Sequence, residues 1–463
     1  MKRLKKIINS FKSFKSLRIL LLLGFFLVLE LICPPIPGSI LGKHILLILA
    51  VATFVFSLYL ISPDSLNNLS HLFAILFITL ILMGISTAII LNNLPLYLIP
   101  IATGGILISL LIGDKLAFVT VTLLAFLMSI FSMSFDAVIF TLLSGFVAAI
   151  STSKVKRLSE FYKPLLFVLI ANVIATIGIE LFKGETIIAA LKASQFAAMG
   201  GVGSTFLAFG LFPMLEKVFK ITTSITLLEL SNLDKPILRE FSIKAPGSYN
   251  HSVIVANLAE AGARAIGASS LLARVKAYYH DVGKTKKPTY FIENQKGIKN
   301  PHGKLKPSMS VLIVASHVKD GIELVKKDGL PREVMDIIRE HHGTTLMESF
   351  YRKTNGADEL DFRYPGPKPQ TKESAIVMLA DSVEAKARSL ENPSPSRIKG
   401  LIKEMTAKRV EDGQFSETDI TMKELEKVDE SFFPILLGVF HSRVLNEKST
   451  SKESKKRNKN RGG

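Results

Sequence analysis

Cysteine is almost absent from this chain of 463 residues: Cys33 stands alone, inside an apolar run. One cysteine excludes a disulfide framework and a thiolate zinc site within a single chain. Any metal must therefore be held by histidines and carboxylates. Charge is scarce in the first half. Residues 17–213 are crowded with apolar side chains, and most charges follow residue 214. A mean hydropathy of +0.35 is high for a soluble protein, so part of the chain belongs in lipid.

Acidic residues are missing where basic ones cluster. Residues 2–18 hold seven Lys/Arg and no acid, and the tail from Glu447 holds seven against two acids. These ends supply +7 and +5 of the formal net charge of +18. Such runs attract anionic lipid or nucleic acid. The first run abuts a hydrophobic segment, so anionic lipid is the simpler partner and no nucleic acid is expected.

A helix needs about 20 apolar residues to cross a bilayer. Leu72–Leu91 meets that without a charge. Further spans are read at 17–33, 45–61, 95–113, 116–131, 136–151, 164–182 and 188–213, eight in all. The division of 116–151 rests on a single break near Ser132–Ser134. No small-residue cleavage site follows Cys33, so the first span is read as an anchor and not a signal peptide. The Lys/Arg bias sets orientation. The basic N-terminus and the loop Ser153–Lys163 fall on the cytoplasmic side, and eight crossings return the rest of the chain there. Glu30 and Glu180 lie near the outer ends of their spans, where an interfacial, solvated role is expected; mid-depth charges of a transporter are lacking.

Strand patterns are also lacking beyond short pieces. From Glu216 the periodicity is helical and amphipathic, with Pro331 opening one helix, Gly343 closing it, and Lys372–Glu391 forming another. The organisation reads as a basic segment 1–16, a membrane domain 17–213, a linking helix and connector 214–245, an all-helical domain 246–445 and a basic disordered tail 446–463. Fold class is all-α. Seven of nine histidines lie in the second half: His251, His280, His302, His317, His341, His342 and His441. His280-Asp281 ends the apolar helix Leu271–Tyr279 and His341-His342 ends the helix Arg332–Glu340, and such residues suit iron, manganese, zinc or nickel. Spacing alone leaves a metal site and ordinary structural histidines both open. His302 follows Pro301 in a polar loop and is not read as a ligand; His441 is read as structural.

The ordered set His251, His280-Asp281, His317, His341-His342 and Asp381 resembles the HD-domain phosphohydrolases. The stretches Ala245–His251, His280–Lys284, Pro288–Gln295, Asn300–His302, Ser316–Gly321, His341–Thr345, Phe362–Gln370 and Asp412–Gln414 look, more narrowly, like the seven-transmembrane HD proteins, cyclic-di-AMP phosphodiesterases of the PgpH type. The resemblance covers 214–445 and seven of the spans. It departs in one respect: about ten residues, Pro34–Lys43, stand where the family usually has a large extracytoplasmic domain, so no sensory role for that domain carries over.

The resemblance implies a membrane-anchored HD hydrolase at the cell membrane, with its catalytic domain in the cytoplasm and two divalent ions, Fe or Mn, as cofactors. His251, His280, Asp281 and Asp381 would hold one ion. His317, His341 and His342 would hold the second, with Asp281 bridging. Two such cations lower the pKa of a bridging water and clamp a phosphodiester, giving linear pApA from cyclic-di-AMP without a covalent nucleophile. Lys284, three residues past Asp281, is carried with His280 and Asp281 as a catalytic candidate and as a phosphate contact; the alternative is a helix-capping lysine. Arg388 lies two helical turns after Asp381 and faces the substrate or pairs with Glu384. The proline-rich segment Tyr364–Gln370 is assigned as a substrate-facing loop, with Tyr364 as a contact. Competing readings are a cyclic-di-GMP enzyme of the HD-GYP class, disfavoured by Gly343-Thr344-Thr345 after the His pair; another nucleotide or alarmone phosphohydrolase; and a membrane receptor whose HD site only binds. Oligomeric state is left open, a homo-oligomer included.

Overall fold

The computed structural model describes residues 2–33, 40–295, 297, 299–354, 356–390 and 393–439. Among the described residues there is no β-strand, only an isolated bridge between Leu346 and Arg363. The chain divides into two compact units, Met1–Ile225 and Thr226–Gly463.

The first unit is a bundle of apolar helices: α1 (Lys2–Ile32), α2 (Ile40–Ile61), α3 (Leu69–Leu91), α4 (Ala102–Leu111), α5 (Asp114–Ser132), α6 (Phe135–Thr152), α7 (Tyr162–Phe182) and α8 (Ile187–Phe219). Six of these, α2, α3 and α5 to α8, are long and apolar enough to cross a membrane. The expected division of 116–151 falls at a left-handed Met133 and an extended Ser134. The expected boundary at 213/214 falls inside α8, which continues to Phe219 and stops at a left-handed Lys220.

The segment expected as a regular span over 95–113 is interrupted. A 3-10 turn, Leu96–Leu98, precedes an extended Ile99, and α4 begins at Ala102. Pro100 is the cause: its ring disfavours helical backbone at the residue before it and it brings no N–H. At ten residues α4 is about 15 Å long, half the hydrocarbon thickness. Its residues 102–108 are all buried, so α4 forms the middle of the bundle.

Contacts between helix ends show the alternation of direction. Thr87 at the end of α3 donates to the Ile32 carbonyl at the end of α1 (2.8 Å). Tyr97, just before α4, donates to Glu180 near the end of α7 (2.7 Å), and Lys183 reaches Asp136 at the start of α6 (3.1 Å). The start of α3 meets the end of α8 through Phe77 and Phe219, ring centroids 5.6 Å apart. Both acidic residues expected to be solvated are instead ion-paired and largely covered, Glu30 with Lys43 (2.9 Å) and Glu180 with Lys183 (3.2 Å). A covered carboxylate needs such a partner, because burial penalises the lone charge.

The second unit comprises α9 (Pro236–Lys244), α10 (Pro246–Ala265), α11 (Ser270–Tyr279), α12 (Pro307–Lys327), α13 (Arg332–Glu340), α14 (Lys372–Arg388), α15 (Pro395–Glu411) and α16 (422–439), and it is built around α14. The run Ser374–Ala380 on α14 is buried on every face. It is covered by α10, α11, α13 and α15. A helix apolar all round has to be central. Pro331 stands at the start of α13 as expected, and Gly343 at φ +53° turns the chain after it.

Small residues let α4 and α6 touch. A Cβ on Gly105 would lie 2.5 Å from the Gly145 carbonyl oxygen and 3.2 Å from the Ala148 methyl. Close backbone approach is how apolar helices gain packing when lipid removes the hydrophobic incentive. Gly105→Leu is expected to lower the thermal midpoint of the detergent-solubilised chain by several degrees, on the order of 1–3 kcal/mol of overpacking. Gly178→Leu, where nothing lies within 4 Å, should leave it unchanged.

Candidate metal centre

The site gathers helix ends and helix faces around one carboxylate. His251 comes from α10, His280 caps α11, His317 lies on α12, His341 caps α13, His342 follows it, and Asp381 lies on α14. Asp281, next to His280, sits among them and is buried. Its two oxygens face different ways. Oδ1 is 3.5 Å from His317 Nε2 and 3.6 Å from His341 Nε2; Oδ2 is 3.2 Å from His280 Nε2 and 3.9 Å from His251 Nε2. Two groups able to hold a metal result: Asp281, His317, His341 and His342, and His251, His280 and Asp281. Asp381 stands between them, 2.9 Å from His251 Nε2 and 3.9 Å from His342 Nδ1.

The imidazoles are oriented by their far nitrogens. His280 Nδ1 lies 2.7 Å from the Ala277 carbonyl, and His317 Nδ1 lies 2.6 Å from that of Val314. His341 Nδ1 lies 3.1 Å from the carbonyls of both Ile337 and Ile338. A carbonyl only accepts, so each Nδ1 carries the proton and each Nε2 turns a lone pair inward. His251 Nδ1 is held in the same way by the Glu384 carboxylate, which Arg388 pairs with at 2.5 Å. His280 Nε2 and Asp281 Oδ1 are buried without a hydrogen-bond partner among the described residues. Orphaned inward donor atoms of these types fit a divalent metal, and the cited residues would hold it.

Backbone contact fixes the spacing. Gly283, on the turn after Asp281, passes so close to α12 that a Cβ there would lie 1.9 Å from the His317 carbonyl oxygen. Only glycine permits that approach.

The electrostatics follow from burial and charge. Burial pushes the Asp281 carboxyl up, but the Lys284 ammonium and His280 outweigh it and hold it well below the usual carboxylate range. Asp381 is lowered against its burial by His251. Burial drives His317 down to about 3 and His342 well below its usual value, keeping both neutral. His251 is the exception: burial disfavours its charge, yet Asp381 and Glu384 raise it to about 10. A cation bound there would displace that proton. Lys284 Nζ lies 2.7 Å from Asp281 Oδ2 and 2.9 Å from Glu293 Oε1. Burial opposes its charge, but the two carboxylates raise its pKa; Glu293 in turn falls to about 2 despite its own burial.

A cavity of about 650 Å³ opens beside the cluster, lined among others by His251, Lys284, His342, Tyr364, Asp381 and Arg409. Tyr364 stacks on His342 with centroids 4.1 Å apart and belongs to a non-helical segment. Arg388 also lines the cavity, though its guanidinium is engaged by Glu384. His302 stands apart, its Nε2 2.9 Å from the Tyr290 carbonyl. His441 lies outside the described residues. Sequence reading missed Glu293 and Arg409 and treated Glu384 only as a partner for Arg388. For Glu384 a signal existed, since it follows Asp381 by three on the same helical face. Arg409, whose Nε donates to Ser382 Oγ at 3.0 Å, reaches the cavity from α15 and has no local signature.

The family described as "7TM receptor with intracellular HD hydrolase" matches residues 38–223, and the HD domain family matches residues 248–386. The chain belongs to this family of multi-pass membrane proteins with an HD hydrolase domain. It is similar to the cyclic-di-AMP phosphodiesterase PgpH of Bacillus subtilis, 42% identical over 375 residues that make up 78% of this chain and 52% of the relative. PgpH of Listeria monocytogenes is 40% identical over 358 residues, 75% of this chain and 50% of that one. The chain thus spans about half the length of the curated relatives it matches. The crystal structure of the L. monocytogenes PgpH HD domain in complex with cyclic-di-AMP is 48% identical, covering 45% of this chain and 98% of that one, with a TM-score of 0.43.

The tether on His251 gives a specific test. Glu384→Gln keeps the volume but removes the charge that fixes the ring. Metal affinity of the full chain, titrated against a competing chelator, is expected to fall about 10–100-fold.

Proposed function

We propose that this chain is a membrane-anchored, metal-dependent phosphodiesterase that hydrolyses cyclic-di-AMP to linear pApA. The observation that carries the reading is Asp281, its two oxygens shared between two sets of inward imidazoles. Identity of 42% and 40% over about three quarters of the chain to relatives named cyclic-di-AMP phosphodiesterase supports the substrate.

Two divalent cations, iron or manganese, would supply an activated water and neutralise the charge of the phosphodiester. His251, His280, Asp281 and Asp381 form one half of the pocket for them, and His317, His341 and His342 the other, with Asp281 common to both. The chain's own residues set the geometry. The carbonyls of Ala277, Val314, Ile337 and Ile338 and the Glu384 carboxylate keep four imidazole Nε2 atoms, those of His280, His317, His341 and His251, aimed at the Asp281 carboxylate. Lys284 and Arg409 bring positive charge to the cavity wall, where a diester's anionic oxygens are held. The Tyr364–His342 stack offers an aromatic face to a base. In the net reaction one phosphorus–O3′ bond breaks, the water oxygen takes its place, and the 3′ oxygen ends as a hydroxyl. We assign the HD unit to the cytoplasmic side, because Lys154, Lys156 and Arg157 lie in the loop after α6 and the basic residues 2–18 precede the first apolar segment. Those N-terminal cations would lie against anionic headgroups.

The full chain, reconstituted with Mn²⁺, is expected to convert cyclic-di-AMP to pApA and to spare cyclic-di-GMP, followed by chromatography of the products. Saturable binding with no turnover by the folded, metal-loaded protein would replace this reading with a ligand-binding receptor. Asp281→Ala is expected to lose both ions by elemental analysis; retention of either one contradicts the bridging role.

A further inference from the structure

A second cavity, of about 360 Å³, lies wholly within the first unit and takes no part in the chemistry above. It sits at the end of the bundle where α6 and α8 begin and α7 finishes. One wall is polar. Tyr97 donates to Glu180 Oε1 at 2.7 Å, and Lys183 Nζ lies 3.2 Å from the same oxygen and 3.1 Å from Asp136 Oδ2. Two carboxylates share one ammonium, an excess of one negative charge. Lys192 on α8 also lines the cavity and has no ion-pair partner among the described residues. The remaining wall is apolar, with Ile101, Met128, Phe140 and Phe196. Tyr97 is held edge-on by Phe140, centroids 5.2 Å apart, so its hydroxyl is fixed toward Glu180.

A largely apolar pocket with a few convergent polar groups is the ordinary form of a small-molecule site, and this volume suits a ligand of about ten to fifteen heavy atoms. The charges select among apolar ligands. The carboxylate pair, short by one cation, matches an ammonium. Lys192 matches an anion. A ligand carrying only one sign leaves the charge on the other wall unmatched.

We propose that this cavity binds a small zwitterionic amphiphile, with its ammonium on Glu180 and Asp136, its anionic group on Lys192, and its apolar body against Phe140 and Phe196. Two sources share that chemistry: a free amino acid with a large apolar side chain, and the headgroup of an aminophospholipid.

Isothermal titration of the full chain in phosphatidylglycerol nanodiscs distinguishes them. The probes are L-phenylalanine and lysophosphatidylethanolamine, with phenethylamine and 3-phenylpropionate as single-charge analogues of the first. At least one zwitterion is expected to bind saturably, and to do so about tenfold more tightly than a single-charge analogue. Binding of L-phenylalanine assigns the site to a free amino acid; binding of the lysolipid alone assigns it to a headgroup. Lys192→Ala is expected to weaken binding about tenfold and Lys192→Arg to retain it. Lys192 is exposed, so neither change threatens the fold. Glu180→Gln should weaken binding similarly, with its thermal midpoint checked alongside. Absence of saturable binding by both zwitterions, equal binding of the single-charge analogues, or indifference to Lys192→Ala overturns the proposal.

Discussion

Asp281 presents its two oxygens, at 3.2 to 3.9 Å, to imidazoles from four different helices, and the second unit is arranged to hold those rings still around it. A carboxylate buried in this way is costly alone. Here Lys284 and the ring nitrogens surround it, so ionisation is favoured in spite of burial. Burial keeps His317 and His342 neutral, whereas two further carboxylates converge on His251 and favour its charged form. A set of fixed, inward lone pairs around an ionised carboxylate is what a divalent cation requires.

Placing the site at helix ends has a mechanical logic. His280 and His341 each cap a helix, where backbone carbonyls of the last turn accept a hydrogen bond from Nδ1–H. The helix that supplies the orienting carbonyl also supplies the ring it orients. Ring position is then coupled to the last helical turn and needs no separate loop.

The second unit was largely legible in the sequence, because helical periodicity, Pro331 and Gly343 are local signals and the HD residues keep their order along the chain. The assembly around those residues was less so. Arg409 lies 28 residues beyond Asp381 on another helix, and Glu293 reaches Lys284 from a 3-10 turn; neither contact follows from spacing. In the first unit, apolar runs located the helices well. Pro100 marked the interruption before α4, but hydropathy is blind to backbone hydrogen bonding and joined the two pieces. Hydropathy also placed Glu30 and Glu180 near water, whereas each is ion-paired, Glu30 with Lys43 on the next helix and Glu180 with Lys183 at the end of its own.

The contact at Gly283 separates two kinds of tolerance. The distance from Asp281 to the His317 ring is set where main chain meets main chain, with no side chain between. Apolar residues of the surrounding core are therefore free to drift in size and shape without moving the donor atoms, provided total volume is kept. Such a domain can diverge widely in its interior while its reactive geometry stays constant, and that constancy leans on Gly283, a position with no room for a methyl group.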